Sequence, residues 1–264
     1  MRKISKSLLD RMLTGDLQNL FEYIKSDRDL RLEVRSEGDA FVYYRKGKAL
    51  GIKKLEVDKK YGNVPATSLA VSEPRKYFNQ IKTSIDTWLL NKKRRNEFDT
   101  QQNVAISNQN YNDKYIVLDM EYRFEQSMIK KEERKKAATF DLLGIDKASE
   151  RIVFFEVKRG INALNGKSGI ESHIKDFEEY MLGKHSEVFR KNLMKDVENI
   201  IQDKTKLSLL ENINFLNAFN EKDPDLVFIF HPEKDSEIEI FSSKLKNQKY
   251  SKFMLVNGDN YKLN

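Results

Sequence analysis

The chain has 264 residues, of which 39% are hydrophobic and 34% are charged, and its formal net charge is +7. This composition is typical of a globular protein with one large or two small domains, and the positive charge favours a polyanionic partner such as nucleic acid. The absence of cysteine excludes disulfides and thiolate metal sites, and no apolar run approaches the roughly 18 to 20 residues that span a bilayer, so we expect a cytoplasmic protein without a membrane segment.

The first 73 residues are predicted to form a separate α+β module. Apolar residues recur at helical spacing from Ile4 to Ile24, which predicts an amphipathic helix. Three strand-like segments follow, with the sequences LRLEVRS, AFVYYRK and ALGIKKL. Ser72-Glu73-Pro74 marks the boundary, because the residue before a proline avoids helix and a proline can open one. The module has no cluster of catalytic residue types, so we expect it to pack against the core or to contact substrate.

Residues 74–264 are predicted to form an α/β core. A helix with apolar residues between Tyr77 and Leu90 precedes three strands, YIVLDMEYRF, ATFDLLGI and RIVFFEVK, and the last two are expected to form a hairpin. Ser168-Gly169-Ile170-Glu171 has the form of a capping box that opens the next helix. A further helical region covers about 186–218, and DPDLVFIF is a buried strand. Two segments near the end, EIEIF and KFMLV, are candidate edge strands. The order helix, three strands, helix, strand is a compact α/β arrangement.

The end of the strand RIVFFEVK carries the most informative residues. Glu156 and Lys158 lie two apart, so on a strand they project together, directly after an apolar run. Asp141 lies on the preceding strand. Other acid-x-lysine triplets, at 58–60 and 133–135, lie in charge-rich segments, where solvated ion pairs explain them. A structural explanation also exists for Glu156 and Lys158, namely an ion pair worth only about 0–1 kcal/mol at a surface.

The order of elements, with Asp141 on the second core strand and Glu156-Val157-Lys158 on the third, resembles the PD-(D/E)XK nuclease superfamily and its restriction-endonuclease-like core. The resemblance covers about residues 75–231, and Phe140 stands where the family pattern has proline. It implies a Mg²⁺-dependent phosphodiesterase acting on DNA rather than RNA, with Mn²⁺ as an expected substitute. Asp141, Glu156 and the carbonyl of Val157 would bind the metal, which can activate water and clamp the phosphate. Lys158 would orient the nucleophile or offset negative charge.

The resemblance also implies a further acid on the helix before the first core strand. Glu97 is the best match for this metal ligand and catalytic group, and Gln101 lies four residues later on the same side. Alternatively, Glu97 pairs with a neighbouring basic residue on a solvated helix. Glu121 is a candidate to bind the metal or to support one of its ligands, or it faces solvent with Asp119. His173 is a candidate on the helix after the motif, where a lone histidine is more often a boundary residue.

Two basic stretches flank these residues in sequence and are expected to contact phosphates. Their members are Lys92, Lys93, Arg94, Arg95, Lys130 and Lys131. Two alternatives to a nuclease remain open. One is a module of the same fold that binds nucleic acid or protein through a degenerate metal site. The other is an unrelated α/β scaffold in which the acid and the lysine form a structural pair.

Overall fold

The structure is a computed structural model that describes residues 1–90, 92, 95–110, 112–124, 138–211, 213, 222–246, 248–250 and 252–264; the side chains of residues 95 and 167 are not described. The chain is a mixed α/β protein that divides into two compact units. The first comprises Met1–Gln102 with Asn199–Asn212, and the second comprises Asn103–Glu198 with Ile213–Asn264. In the described ranges, no helix is both long enough and apolar enough to cross a membrane.

The first unit combines helices with an antiparallel sheet of strand order β1-β2-β3. Its elements are α1 (Lys6–Leu13), α2 (Gln18–Ser26), β1 (Arg31–Val34), β2 (Ala40–Tyr44), β3 (Gly47–Gly51), α3 (Leu69–Ser72), α4 (Pro74–Leu90), the first part of α5 (Arg95–Ser107) and the last part of α7 (Ser186–Lys206). The predicted small antiparallel sheet is therefore confirmed. The prediction of one N-terminal helix was wrong, because the chain turns at Gly15, where an added Cβ would lie 2.8 Å from the Cα of Arg11.

Helix α4 begins at Pro74, as predicted, because proline lacks the N–H that the first helical turn would leave unpaired. It packs on β3, and the hydroxyl of Tyr77 donates to the carbonyl of Ala49 at 2.8 Å. The sequence boundary at residues 73 and 74 thus coincides with the start of α4, while the compact unit extends beyond it to Gln102.

The second unit contains a mixed sheet of strand order β4-β5-β6-β7-β8. The strands are β4 (Tyr115–Arg123), β5 (Thr139–Asp146), β6 (Arg151–Arg159), β7 (Asp225–His231) and β8 (Phe253–Leu255). The helices are the last part of α5, α6 (Ile170–Met181), the first part of α7 and α8 (Ser236–Lys246). Strands β4, β5 and β6 pair antiparallel, whereas β6, β7 and β8 pair parallel. The predicted hairpin, the buried strand β7 and the edge strand KFMLV are confirmed.

Two local predictions in this unit were wrong. The segment EIEIF is not a strand but part of α8, which buries Phe241 and Leu245 at helical spacing. The capping box was also wrong, because the N-cap of α6 is Gly169 and it has no side-chain cap. Ser168 instead lies in a short 3-10 turn, Gly166–Ser168. A Cβ on Gly169 would lie 2.6 Å from the carbonyl oxygen of Leu164, so this tight turn excludes side chains.

An aromatic cluster fixes α6 on the sheet. The ring of Phe154 on β6 lies 4.6 Å from that of Phe140 and 5.9 Å from that of Phe177 on α6. Tyr180, one turn further along α6, contacts Phe189 of α7 at 4.6 Å. Burial of such rings dominates core energetics, so the register of α6 against β6 is firmly set.

Gly144 in the middle of β5 provides a stability prediction. An added Cβ would lie 2.6 Å from the carbonyl oxygen of Ile116 and 3.0 Å from the ring of Phe155. Because a backbone atom cannot move aside cheaply, Gly144→Ala should destabilise the protein by about 1–3 kcal/mol. Chemical unfolding would measure the loss, with Thr139→Ala, at an exposed position of the same strand, as the control. Equal stability of the two variants would contradict the close packing at Gly144.

Candidate active site

The candidate site lies where the backbone pairing of the β5–β6 hairpin ends. Regular pairing runs from Asp146 opposite Arg151 to Leu142 opposite Phe155. Beyond Leu142 and Phe155, side-chain carboxylates take the place of backbone carbonyls as hydrogen-bond acceptors between the two strands. The backbone N–H of Val157 donates to Oδ2 of Asp141 at 2.9 Å, and the N–H of Asp141 points to Oε1 of Glu156 at 3.4 Å. Two carboxylates therefore meet at one edge of the sheet.

Lys158 and Glu156 form a buried ion pair at this edge. Glu156 is 0% and Lys158 is 1% exposed. The ammonium of Lys158 lies 3.3 Å from Oε2 of Glu156 and 3.1 Å from the carbonyl oxygen of Val157. The two side chains share a face because they lie two apart on β6. The pair therefore differs from the weak surface ion pair considered as an alternative in the sequence analysis. Removing one partner of a buried pair leaves an uncompensated charge in the protein interior.

His173 adds a second basic group beside Glu156. It lies in the first turns of α6, and its Nδ1 is 3.1 Å from Oε1 of Glu156, without the alignment of a hydrogen bond. Burial lowers the pKa of His173, but the attraction of the Glu156 carboxylate outweighs it, and the pKa lies above its usual value. Phe177, four residues further along α6, packs against Phe154 of β6, the strand that carries Glu156.

Glu121 lies opposite Asp141 in the strand register. Met120 pairs with Leu142 and Tyr122 pairs with Phe140, so the intervening positions of β4 and β5 face each other. Glu121 has φ 55°, in the left-handed region that residues other than glycine rarely adopt. Such strain is concentrated at functional sites, where the surrounding structure enforces it.

Two carboxylates and one backbone carbonyl are the oxygen donors that this site offers to a metal ion. The carboxylates of Asp141 and Glu156 and the carbonyl of Val157 are hard oxygen donors, and Mg²⁺ is commonly held by one or two carboxylates together with waters and substrate phosphates. Within the part of the chain that the structure describes, no group of three or more histidine, aspartate or glutamate side chains is arranged to hold a metal. A bound ion would therefore rely on water and substrate for its remaining ligands, and it would compete with the Lys158 ammonium for two oxygens.

The other predicted residues lie elsewhere or are not described. Glu97 and Gln101 belong to the first unit and are 5% and 1% exposed, so Glu97 does not lie on a solvated face. Their participation in the site stays a prediction. Lys92 is exposed. The structure does not describe the side chain of Arg95, and Lys93, Arg94, Lys130 and Lys131 lie outside the described residues.

A further pair of basic residues, which the sequence motifs did not indicate, lies next along the same edge. Arg159 and His231 occupy paired positions at the carboxyl ends of the parallel strands β6 and β7. Burial and the nearby charge of Arg159 lower the pKa of His231. Their positions at the ends of two predicted strands could have indicated them, because the carboxyl ends of parallel strands meet at one edge of a sheet.

No family model, no curated protein and no solved structure matches the chain. The class of the protein therefore rests on its own fold and site. Together they define a mixed α/β protein with a buried carboxylate–ammonium cluster where an antiparallel hairpin meets a parallel strand.

Proposed function

We propose that this chain is a metal-dependent phosphodiesterase that cleaves DNA, with Asp141, Glu156 and Lys158 as its reactive residues. The observation that carries the proposal is the burial of Lys158 against Glu156 where carboxylates replace the β5–β6 ladder. A buried ion pair is costly to desolvate, and a hydrophobic pair often stabilises a fold equally well. Ionisable groups that converge at a sheet edge despite this cost favour a functional role.

The proposed chemistry divides among the residues as follows. Asp141, Glu156 and the Val157 carbonyl would hold Mg²⁺, or Mn²⁺ in its place, through oxygen ligands. A divalent ion at such a site polarises the phosphate and lowers the pKa of bound water. Lys158 would donate a hydrogen bond from its side-chain nitrogen to the scissile phosphate or to the attacking water. The sequence resemblance implies Glu97 as a further acid, and this role stays a prediction.

A nuclease assay tests this proposal directly. Single-stranded DNA, duplex DNA and RNA are incubated with the protein and Mg²⁺, Mn²⁺ or EDTA, and Glu156→Ala serves as the control for contaminating nucleases. Cleavage that requires the metal and disappears in the variant is expected, with DNA cut faster than RNA. Equal cleavage by the wild type and the variant, or no cleavage of any substrate, would contradict the proposal.

A binding module is the second candidate function. The observation that favours it is the Lys158 ammonium, which contacts both Glu156 and the Val157 carbonyl, two of the oxygens that a metal would use. In this case the same fold holds nucleic acid through its positive charge without cutting it. The assay separates the two candidates, since a binding module retains DNA on a gel in EDTA and leaves it intact in Mg²⁺ and in Mn²⁺.

The salt dependence of DNA binding tests the predicted phosphate contacts. Because each contact releases counterions from DNA, log Kd should rise with log salt concentration with a slope of several units. Replacing the four basic residues 92–95 by glutamine should reduce the slope by about one unit for each of them that touches a phosphate. Lys76→Gln is the control, because Lys76 is an exposed residue already paired with Glu73. Affinity that does not depend on salt would exclude phosphate contacts as its source.

A further inference from the structure

Trp88, the only tryptophan of the chain, lies on a surface of the first unit that the candidate active site does not use. It is half-buried near the end of α4. The buried ring of Tyr61 meets it edge to face, with the ring centres 5.3 Å apart. The hydroxyl of Ser84 on α4 donates to the carbonyl of Asn63, which holds the loop after Tyr61 against the helix. The indole is thus supported from beneath by a fixed aromatic ring.

Two ammonium groups lie over this aromatic pair. Nζ of Lys92 is 4.6 Å from the centre of the Trp88 ring. Nζ of Lys60 is 5.2 Å from the same ring and 5.1 Å from that of Tyr61. Both lysines are exposed, and Lys60 also pairs with the carboxylate of Asp58 at 2.9 Å. The sequence continues from Lys92 with three more basic residues.

We propose that Lys60, Tyr61, Trp88 and Lys92 form a contact surface for single-stranded nucleic acid, with Trp88 as the stacking platform. The inference rests on the proposed function in taking nucleic acid as the partner. Proteins that hold single strands combine a positively charged track for phosphates with aromatic rings on which bases stack. The two lysines have flexible stems, so their ammonium groups move from the indole to phosphates while a base takes their place on the ring.

The indole of Trp88 favours a single-stranded nucleic acid over a duplex and over an acidic protein segment. In a duplex the base faces are stacked on one another, so a duplex engages the lysines alone. An acidic protein segment likewise pairs with the lysines and leaves the indole face uncovered. Only a single strand offers both phosphates and free base faces, and every base has such a face, so the surface is expected to tolerate any sequence.

The fluorescence of Trp88 reports directly on this surface, because the chain has no other tryptophan. The full-length protein is titrated in EDTA, so that nothing is cleaved, with oligothymidylate or oligouridylate of about 12 nucleotides. Quenching that saturates with the oligonucleotide is expected. Trp88→Ala and Lys92→Gln should each weaken binding, the former about tenfold, as measured by the anisotropy of a labelled oligonucleotide. Lys76→Gln is the matched control, since Lys76 lies on the same helix about 18 Å before Trp88 and should bind as the wild type does.

The outcomes separate this inference from the proposed function. Oligonucleotide binding without quenching, or unchanged binding by both Trp88→Ala and Lys92→Gln, would overturn the surface and leave the nuclease proposal intact. Saturable quenching without any metal-dependent cleavage would support the surface and contradict the nuclease. Equal quenching by a DNA duplex or by polyglutamate at matched charge would overturn the assignment to single strands. Lys92→Gln tests the surface without the risk of misfolding that Trp88→Ala carries, because Lys92 is exposed and its replacement removes no buried group.

Discussion

Glu156→Gln should strongly weaken both Mn²⁺ binding and cleavage of DNA, whereas Lys158→Met should strongly reduce cleavage alone. The glutamine keeps the shape of the side chain but removes a charged oxygen ligand. Even a residue that only supports a metal ligand is worth about 10–100-fold in affinity, so loss of the ligand charge should cost at least about 100-fold. The methionine fills most of the volume of Lys158, which is 1% exposed, and removes its positive charge.

The direction of the Lys158 effect follows from what its ammonium contacts. It lies against Oε2 of Glu156 and the carbonyl oxygen of Val157, so Lys158→Met frees both oxygens and removes a repulsive charge. Mn²⁺ should bind Lys158→Met as tightly as the wild type or more tightly. Cleavage should still fall by about 10²–10³-fold, because the variant has no positive donor at the phosphate.

Isothermal titration with Mn²⁺, combined with thermal melts, distinguishes this pattern from a structural ion pair. In a structural pair, removal of either partner destabilises the protein by about 3–5 kcal/mol and leaves metal affinity unchanged. Glu150→Gln is the control, since Glu150 lies in the turn at the opposite end of the hairpin and pairs with Lys222. Indistinguishable Mn²⁺ titrations for the wild type and both site variants would remove the nuclease assignment.

The sequence predicted the strands of the second unit because their signal is local. The strands β4 to β7 are runs of apolar residues with little interruption, as expected for strands buried on both faces. The segment EIEIF failed for a related reason. Its alternation of Glu and Ile mimics a half-buried strand, whereas its last residue, Phe241, is buried together with Leu245 at helical spacing.

The geometry of the candidate site was less accessible from sequence. The spacing of Glu156 and Lys158 predicted that they share a face. It did not predict that carboxylates would accept hydrogen bonds from backbone N–H groups where the backbone pairing of β5 and β6 ends. These contacts depend on the three-dimensional arrangement of the two strands and not on the local sequence. The left-handed conformation of Glu121 likewise leaves no trace in residue type, since glutamate is not a residue that favours it.

The first unit contains a buried charge cluster that connects segments far apart in the chain. Glu33 on β1 is 0% exposed. Its Oε1 accepts from Nε of Arg31 at 2.5 Å, and its Oε2 accepts from Nζ of Lys204 on α7, also at 2.5 Å. Because Glu33 and Lys204 are 171 positions apart in the sequence, no local sequence pattern predicts their contact. The cluster joins the last part of α7 to the N-terminal sheet within this unit.

This cluster makes the stability of the first unit depend on pH. Burial raises the pKa of Glu33, but the charges of Arg31 and Lys204 lower it more, from 4.5 to about 2. A carboxyl whose pKa is lower in the folded than in the unfolded state stabilises the fold above its unfolded pKa. The stabilisation, on the order of 3 kcal/mol, is therefore fully present above about pH 5 and is lost as the pH falls towards 2.

Glu33→Gln should accordingly be less stable than the wild type by about 3–5 kcal/mol at neutral pH, because two buried cations lose their carboxylate. Its stability should also change less between pH 5 and 3, since the titrating group is absent. Urea unfolding followed by the fluorescence of Trp88, which lies in the same unit, measures both effects. Glu73→Gln, in the exposed pair with Lys76, is the control and should shift stability by less than about 1 kcal/mol. If Glu33→Gln retained the full acid dependence of the wild type, other carboxylates would have to carry it, and Glu33 would only fill space between Arg31 and Lys204.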